Sequence, residues 1–194
     1  MGRKILVVTF LLSILIVPSY IYAQEQSATT PGRMHLEEEK EAMTMKRKEF
    51  KERLQTIRDE TKRMQVERID TKISSANQTA TNRFSAVLDK LQSILDKLIG
   101  KAQDVKAKGI GTTALDSAIG SAQASIDDAK AAVTSQMARL YVIQIASESA
   151  LKSSVGSTVS ELRTDLRDVH KAVVDAKQAV QKAVIERAKL RGPQ

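Results

Sequence analysis

Between Pro31 and Pro193 the chain runs for 161 residues without a proline, where average usage of about 5% would place roughly eight. Proline removes a backbone donor and clashes with the preceding helical turn, so its absence over such a span marks a chain that is helical almost end to end. The apolar residues agree. Phe84, Leu88, Leu91, Leu95 and Leu98 recur at gaps of 4, 3, 4 and 3, which puts them on one stripe of an α-helix, and Val87, Ile94 and Ile99 widen that stripe. A helix striped in this way needs other helices to cover it. Aromatic residues make up only 3% of the 194, so the core must be aliphatic, and at this length one domain is expected.

The first 23 residues have the layout of a secretory signal peptide: a basic start (Arg3, Lys4), an apolar run from Ile5 to Val17, a break at Pro18, and Ile21-Tyr22-Ala23 before polar Gln24. Ile21 is larger than the usual residue there, and the alternative is an uncleaved N-terminal membrane anchor over Ile5 to Tyr22. Residues 24–33, with Ser27, Thr29, Thr30, Pro31 and Gly32, read as a flexible linker. The chain is expected to be exported, to a periplasmic, cell-surface or extracellular location. Without cysteine it has no disulfide framework, and packing alone must hold it together. Its net charge of +8 includes Arg3 and Lys4, leaving a mild basic excess rather than a polycation.

The spacing predicts one long charged helix over 34–108, on the order of 110 Å at about 1.5 Å per residue. Its first half interleaves Lys/Arg with Asp/Glu, with Glu49 and Arg53, and Asp59 and Arg63, four apart in the favourable order. Met43, Phe50, Ile57 and Met64 recur every seven residues, with Leu54 beside them. A seam that thin cannot bury a helix in a globular core, so this half is expected to project, or to pair with another long helix. SSANQTATN at 74–82 is the weakest helical stretch and a candidate hinge, but Ile69, Ile73, Ala76, Ala80, Phe84 and Val87 stay in phase across it. Lys106-Ala107-Lys108-Gly109 reads as a C-terminal cap.

Residues 112–190 are expected to form an antiparallel helical hairpin. Thr113-x-x-Asp116 resembles a capping box opening a helix over 113–152, with a seam of Leu115, Ile119, Ala122, Ile126, Ala129, Val133, Met137 and Leu140. An interruption at Gly156 and a second box, Thr158-x-x-Glu161, open a helix over 158–190 with Val159, Leu162, Leu166, Val169, Val173, Ala176, Val180 and Ala183 at heptad spacing. Alanine at many of these sites lets the helices approach closely. The hairpin alone leaves Leu and Val half exposed, so it should fold onto 84–99. The fold class is therefore all-α: a long N-terminal helix with an antiparallel hairpin on its C-terminal half, forming a three-helix bundle. Its expected core is Phe84, Leu88, Leu91, Leu95, Leu98, Ile119, Ile126, Val133, Leu162, Leu166, Val169 and Val173.

Few residues suggest chemistry. Lys106 to Thr113 sets two glycines and two lysines before a helix, but lacks the P-loop spacing and reads as a plain turn. His35 with Glu38 or Glu39 has helical spacing, yet His35 and His170 are the two histidines of the chain and no HExxH pattern is present, so no metal site is expected. Arg163, Arg167 and Lys171 form a basic row beside Asp165 and Asp168, the pattern of a solvated face. Interleaved charge and scarce aromatics argue against nucleic acid. No acid, base or nucleophile group converges, so neither an enzyme nor a cofactor is expected.

Phe84 to Leu98, Gly109, and His170-Lys171-Ala172-Val173-Val174-Asp175, taken with the leader and the alanine-rich hairpin, resemble a family of exported helical, coiled-coil bacterial proteins with no known activity. The resemblance covers most of the chain beyond the leader; it implies a cell-envelope location and carries over no functional residues. The expected function is a structural or interaction protein of the envelope, with the seam Met43, Phe50, Ile57 and Met64 as its contact for self-association or for another helical protein. The rival readings are a peripheral protein that touches membrane or lipid, and a periplasmic holdase that shields unfolded clients.

Overall fold

A computed structural model describes residues 31–190, with side chains described for 41–190. The leader over 1–23, and the linker up to residue 30, lie outside the described residues, as do the side chains of His35, Glu38 and Glu39. Four helices pack together, α1 (Pro31–Leu54), α2 (Glu60–Ala107), α3 (Thr113–Ala138) and α4 (Leu151–Lys189), and the described residues contain no β-strand. Helix begins at Pro31, inside the expected linker. Proline suits a first helical position because its missing N–H would have no intrahelical partner there.

The expected single helix over 34–108 is two. α1 stops at Leu54, its last amides tightening into i−3 bonds from Gln55 to Glu52, Thr56 to Arg53 and Ile57 to Leu54. α2 restarts at Glu60 behind Asp59, whose backbone is extended (φ −73°, ψ 107°) and whose carboxylate accepts from the Lys62 amide at 3.1 Å. Asp59 therefore caps the helix and does not pair with Arg63, which reaches Glu60 instead; Glu49 and Arg53 do pair, at 3.8 Å. The chain reverses at this break. Arg47 of α1 reaches Asp70 at 2.6 Å and Ser74 at 2.8 Å on α2, so α1 lies back along α2 and does not project. The candidate hinge at 74–82 is continuous helix.

α2 and α4 run parallel. Lys62 meets Glu148 just ahead of α4, and Phe84 meets His170 with ring centres 5.9 Å apart, both pairs at a sequence offset of 86. α3 runs the other way: Asn77 bonds Gln136, and fifteen residues further along α2 Gln92 exchanges amide hydrogen bonds with Gln123 at 3.0 and 3.2 Å. The turn between α2 and α3 closes as expected. Gly109 takes φ +77°, which a side chain would strain, its amide bonds Lys106 and that of Ile110 bonds Val105. The capping box expected at 113 does not form: Thr112 is the N-cap, makes no side-chain bond to a helix amide, and donates its hydroxyl to the Asp116 carboxylate at 2.9 Å.

The connection from α3 to α4 departs most from expectation. α3 ends at Ala138 rather than 152, and α4 starts at Leu151 rather than 158 and continues through Gly156. Thr158 is buried and donates to the Ser154 carbonyl, so it caps nothing. From Tyr141 to Ile145 the residues alternate, Tyr141, Ile143 and Ile145 buried and Gln144 exposed. That is the two-residue period of an extended chain.

Two cores result. The lower one, shared by α2, α3 and α4, holds Leu88, Leu91, Leu95, Leu98, Ile126, Val133, Val169 and Val173, with buried Ala118, Ala122, Ala129, Ala176 and Ala183 keeping the helices close. Phe84 and Ile119 are only partly buried at its edge, Ala118 taking the inward place expected of Ile119. The upper core joins Phe50, Leu54 and Ile57 to Val66 and Ile73 of α2, Tyr141, Ile143 and Ile145 of the connection, and Leu151 and Leu162 of α4. Leu162 thus belongs to the upper core, and Leu166 is partly buried beside it.

Candidate interaction surface and the buried polar layer

Between the two cores the inward row of α2 reads Ile73, Asn77, Thr81, Leu88. The expected phase through Ala76 and Ala80 is one residue off: Ala76 is exposed, Ala80 is half-buried, and two polar side chains face the core. Thr81 satisfies its hydroxyl on the Asn77 carbonyl of its own helix, at 2.9 Å. The Asn77 amide donates to the Gln136 carbonyl at 3.1 Å and accepts from the Gln136 side chain at 2.9 Å. Gln136 occupies the inward place expected of Met137, which is 54% exposed. Its amide also donates to the Tyr141 hydroxyl at 2.7 Å, and that hydroxyl donates to Asp165 of α4 at 2.5 Å. Arg139 ion-pairs with the same Asp165 oxygen.

Side chains from α2, α3, the connection and α4 therefore form one chain of donors and acceptors across the molecule. Burial pushes the Tyr141 phenol up to about 12, and its bond to the Asp165 carboxylate adds to the effect. The Arg139 guanidinium is also raised, chiefly by its hydrogen bond to Asp165. Each amide and hydroxyl has a matched partner at one register only, so a slide of any helix by a turn would strand buried polar groups. Sequence reasoning missed this layer. Its signal was present in polar residues at the 3–4 spacing of the seam, Asn77 and Thr81 following Ile73, and in the run Tyr141-Val142-Ile143-Gln144-Ile145, rich in β-branched and aromatic residues that favour extended chain.

The predicted contact seam is divided by the fold. Phe50 and Ile57 are buried in the upper core at 6% and 2% exposure, Met43 is half-buried, and Met64 is 56% exposed. They do not form one free stripe. Met43 lines a groove where α1 passes the end of α3, with Ala42, Lys46, Ser135 and Ala138. Beyond Met64 on α2, Val66 and Ile69 face Leu151 and Val155 of α4 across a groove of about 340 Å³ rimmed by Lys62, Glu148 and Lys152.

At the α1–α2 contact Asp70 is buried, with one oxygen on Arg47 and the other without a partner. Arg163, Arg167, Lys171 and His170 are exposed on α4. Among the described residues no cluster of three His, Cys, Asp or Glu side chains is placed to hold a metal, and no helix is long and apolar enough to cross a membrane. Compared with protein-family models, curated proteins and solved structures, the chain matches none.

Proposed function

We propose that the chain is a non-enzymatic structural or interaction protein of the bacterial cell envelope, exported behind its first 23 residues and acting through helix-to-helix contact. The observation that supports this most is the fate of the ridge on α1. Phe50, Leu54 and Ile57 belong to the most charged part of the chain and are nevertheless fitted against α2, the connection and α4, so every helix carries a surface built to receive another. The basic, apolar and small-residue order of residues 1–23 supports the location. The groove floored by Val66, Ile69, Leu151 and Val155, with charges on its rim, suits the apolar ridge of a partner helix. The same reading includes an extended form, a single helix over 34–108 with 112–190 folded on its second half, reached when α1 leaves its seat.

Crosslinking in the native cell, followed by identification of what is captured, tests the reading. A helical envelope protein or a second copy of this chain is the expected product. A strictly monomeric mass at high concentration, together with no crosslinked partner, would refute it.

A further inference from the structure

The break between α1 and α2 is made of Gln55, Thr56, Ile57, Arg58 and Asp59. None is glycine or proline, and Gln and Arg are good helix formers, so nothing in the covalent chain forbids a straight helix through it. Straightened, Phe50, Leu54, Ile57 and Met64 fall on one stripe at 4, 3 and 7, in phase from one helix to the next. The folded-back form exists because Phe50, Leu54 and Ile57 of that stripe are covered by the upper core and because Arg47 neutralises the buried Asp70. A straight chain on its own would leave three large apolar side chains bare and would separate Asp70 from its cation. A second copy supplies the missing cover.

We propose that α1 exchanges between two copies of this chain. Each α1 leaves its own seat and takes the identical seat on the other copy, while residues 55–59 join α1 and α2 into one helix over 31–107, on the order of 115 Å at about 1.5 Å per residue. The geometry closes. A straight helix carries α1 beyond the upper end of its own bundle, in the same direction as α2. A second copy facing it end to end about a two-fold axis presents an α2 that runs oppositely, as α1 requires, since Arg47 reaches Asp70 and Ser74 across an antiparallel contact. The contacts between α1 and its seat are remade between copies. The three i−3 bonds at the break become ordinary helical bonds, and the exchange is favoured by concentration. The inference rests on the reading of the protein as one that works through helix contact, and names a second copy as the partner.

The test uses the full chain and reverses the charge pair one side at a time. Arg47→Asp in one preparation and Asp70→Arg in another each set like charges together, both within a chain and in a dimer of one kind. Mixed in equal amounts and refolded, the two match opposite charges at both seats of a swapped heterodimer. The expected result is a heterodimer mass by native mass spectrometry and a melting temperature above that of either preparation alone. Melts that merely superpose, with no heterodimer, overturn the proposal. A second variant answers the question in case either preparation does not fold. Asp59→Pro suits the φ of −73° at this position in the folded-back form but breaks a continuous helix. The unaltered chain is expected to dimerise as concentration rises, and Asp59→Pro to stay monomeric; equal dimerisation of both overturns the exchange. If neither dimerises while cellular crosslinking captures a different helical protein, the exchange fails and the interaction reading stands.

Discussion

Replacing Tyr141 by Phe keeps the buried ring and removes one oxygen, so it isolates the polar layer from the apolar packing around it. The hydroxyl accepts from Gln136 at 2.7 Å and donates to Asp165 at 2.5 Å. A neutral hydrogen bond contributes about 0.5–1.5 kcal/mol and one to a charged group about 1.5–3. Gln136 keeps Asn77 and Asp165 keeps Arg139, so neither is wholly stranded, and a loss of about 2–3 kcal/mol at neutral pH is expected. By denaturant or thermal melts followed by circular dichroism, that is roughly 4–12 °C for a domain of this size. The pH dependence sharpens the test. The Tyr141 phenol lies near 12 when folded and near 10 when unfolded. Below 10 both states are protonated and the contribution is complete. Between 10 and 12 the unfolded chain gives up the proton while the folded chain keeps it, so stability falls as pH rises, by on the order of 2–3 kcal/mol over the interval. The gap between the unaltered chain and Tyr141→Phe should therefore close as pH approaches 12. A change below about 0.5 kcal/mol at neutral pH, or a gap that stays constant up to pH 12, would refute the account of the layer.

Three further outcomes follow from the packing. Leu95→Ala and Ile126→Ala, both at 0% exposure in the lower core, should each lose about 2–5 kcal/mol, while Ile94→Ala, at 42% exposure, should stay within about 0.5; chemical denaturation separates them. Gly156→Ala should stabilise α4 by about 0.5–1 kcal/mol, because Gly156 lies inside the helix with open space at its Cβ, whereas Gly109→Ala, at φ +77°, should destabilise; the reverse order in melting temperature would put the chain break back at 153–157. Asn77→Leu alone should cost about 1–3 kcal/mol by removing the Asn77 partner of Gln136, whose side chain keeps the Tyr141 hydroxyl, and adding Gln136→Leu should cost less than the sum of the two single changes; strictly additive melts would deny that the two amides act as a pair.

The lower core was legible because its residues obey one rule throughout. From Leu88 to Leu98 on α2, Ala122 to Val133 on α3 and Val169 to Ala183 on α4, apolar side chains at helical spacing meet others of the same kind, and periodicity alone identifies them. Reading failed where a second signal competed with the period. At 74–82 the inward row carries Asn77 and Thr81, and a search for apolar residues slides one position over to Ala76 and Ala80. At 140–145, Leu140, Tyr141 and Ile145 fit the helical spacing, but Tyr141, Ile143 and Ile145 fit a period of two as well, and tertiary burial selects the second. At 55–59 no residue announces a break. The cap at Asp59 was read as a charge pair, because an aspartate four residues before an arginine fits both descriptions. The α1 seam reads as too thin to be buried by itself; what covers it is largely the connection, where the sequence pattern predicts helix.

These misreadings are connected, and magnitudes show why the chain leaves the helix twice at the same end. Burying a large aliphatic or aromatic side chain contributes about 1.5–3 kcal/mol. Continuing α3 as a helix past Ala138 would present its side chains every three or four residues to a face that α1 does not reach. The extended course instead buries Tyr141, Ile143 and Ile145 together, and α1 folds back to bury Phe50, Leu54 and Ile57 with them. Six such side chains offset the helical hydrogen bonds given up over the connection, since a backbone group that leaves a helix can still bond to water and forfeits only about 0.5–1.5 kcal/mol net. Each departure makes the other favourable. Without α1 the connection would be bare on its outer side, and without the connection α1 would have little to pack on beyond Val66 and Ile73. It follows that α1 and 141–145 order together, so any change that lifts α1 from its seat should raise amide hydrogen exchange in 141–145 while leaving the α2–α3–α4 core protected.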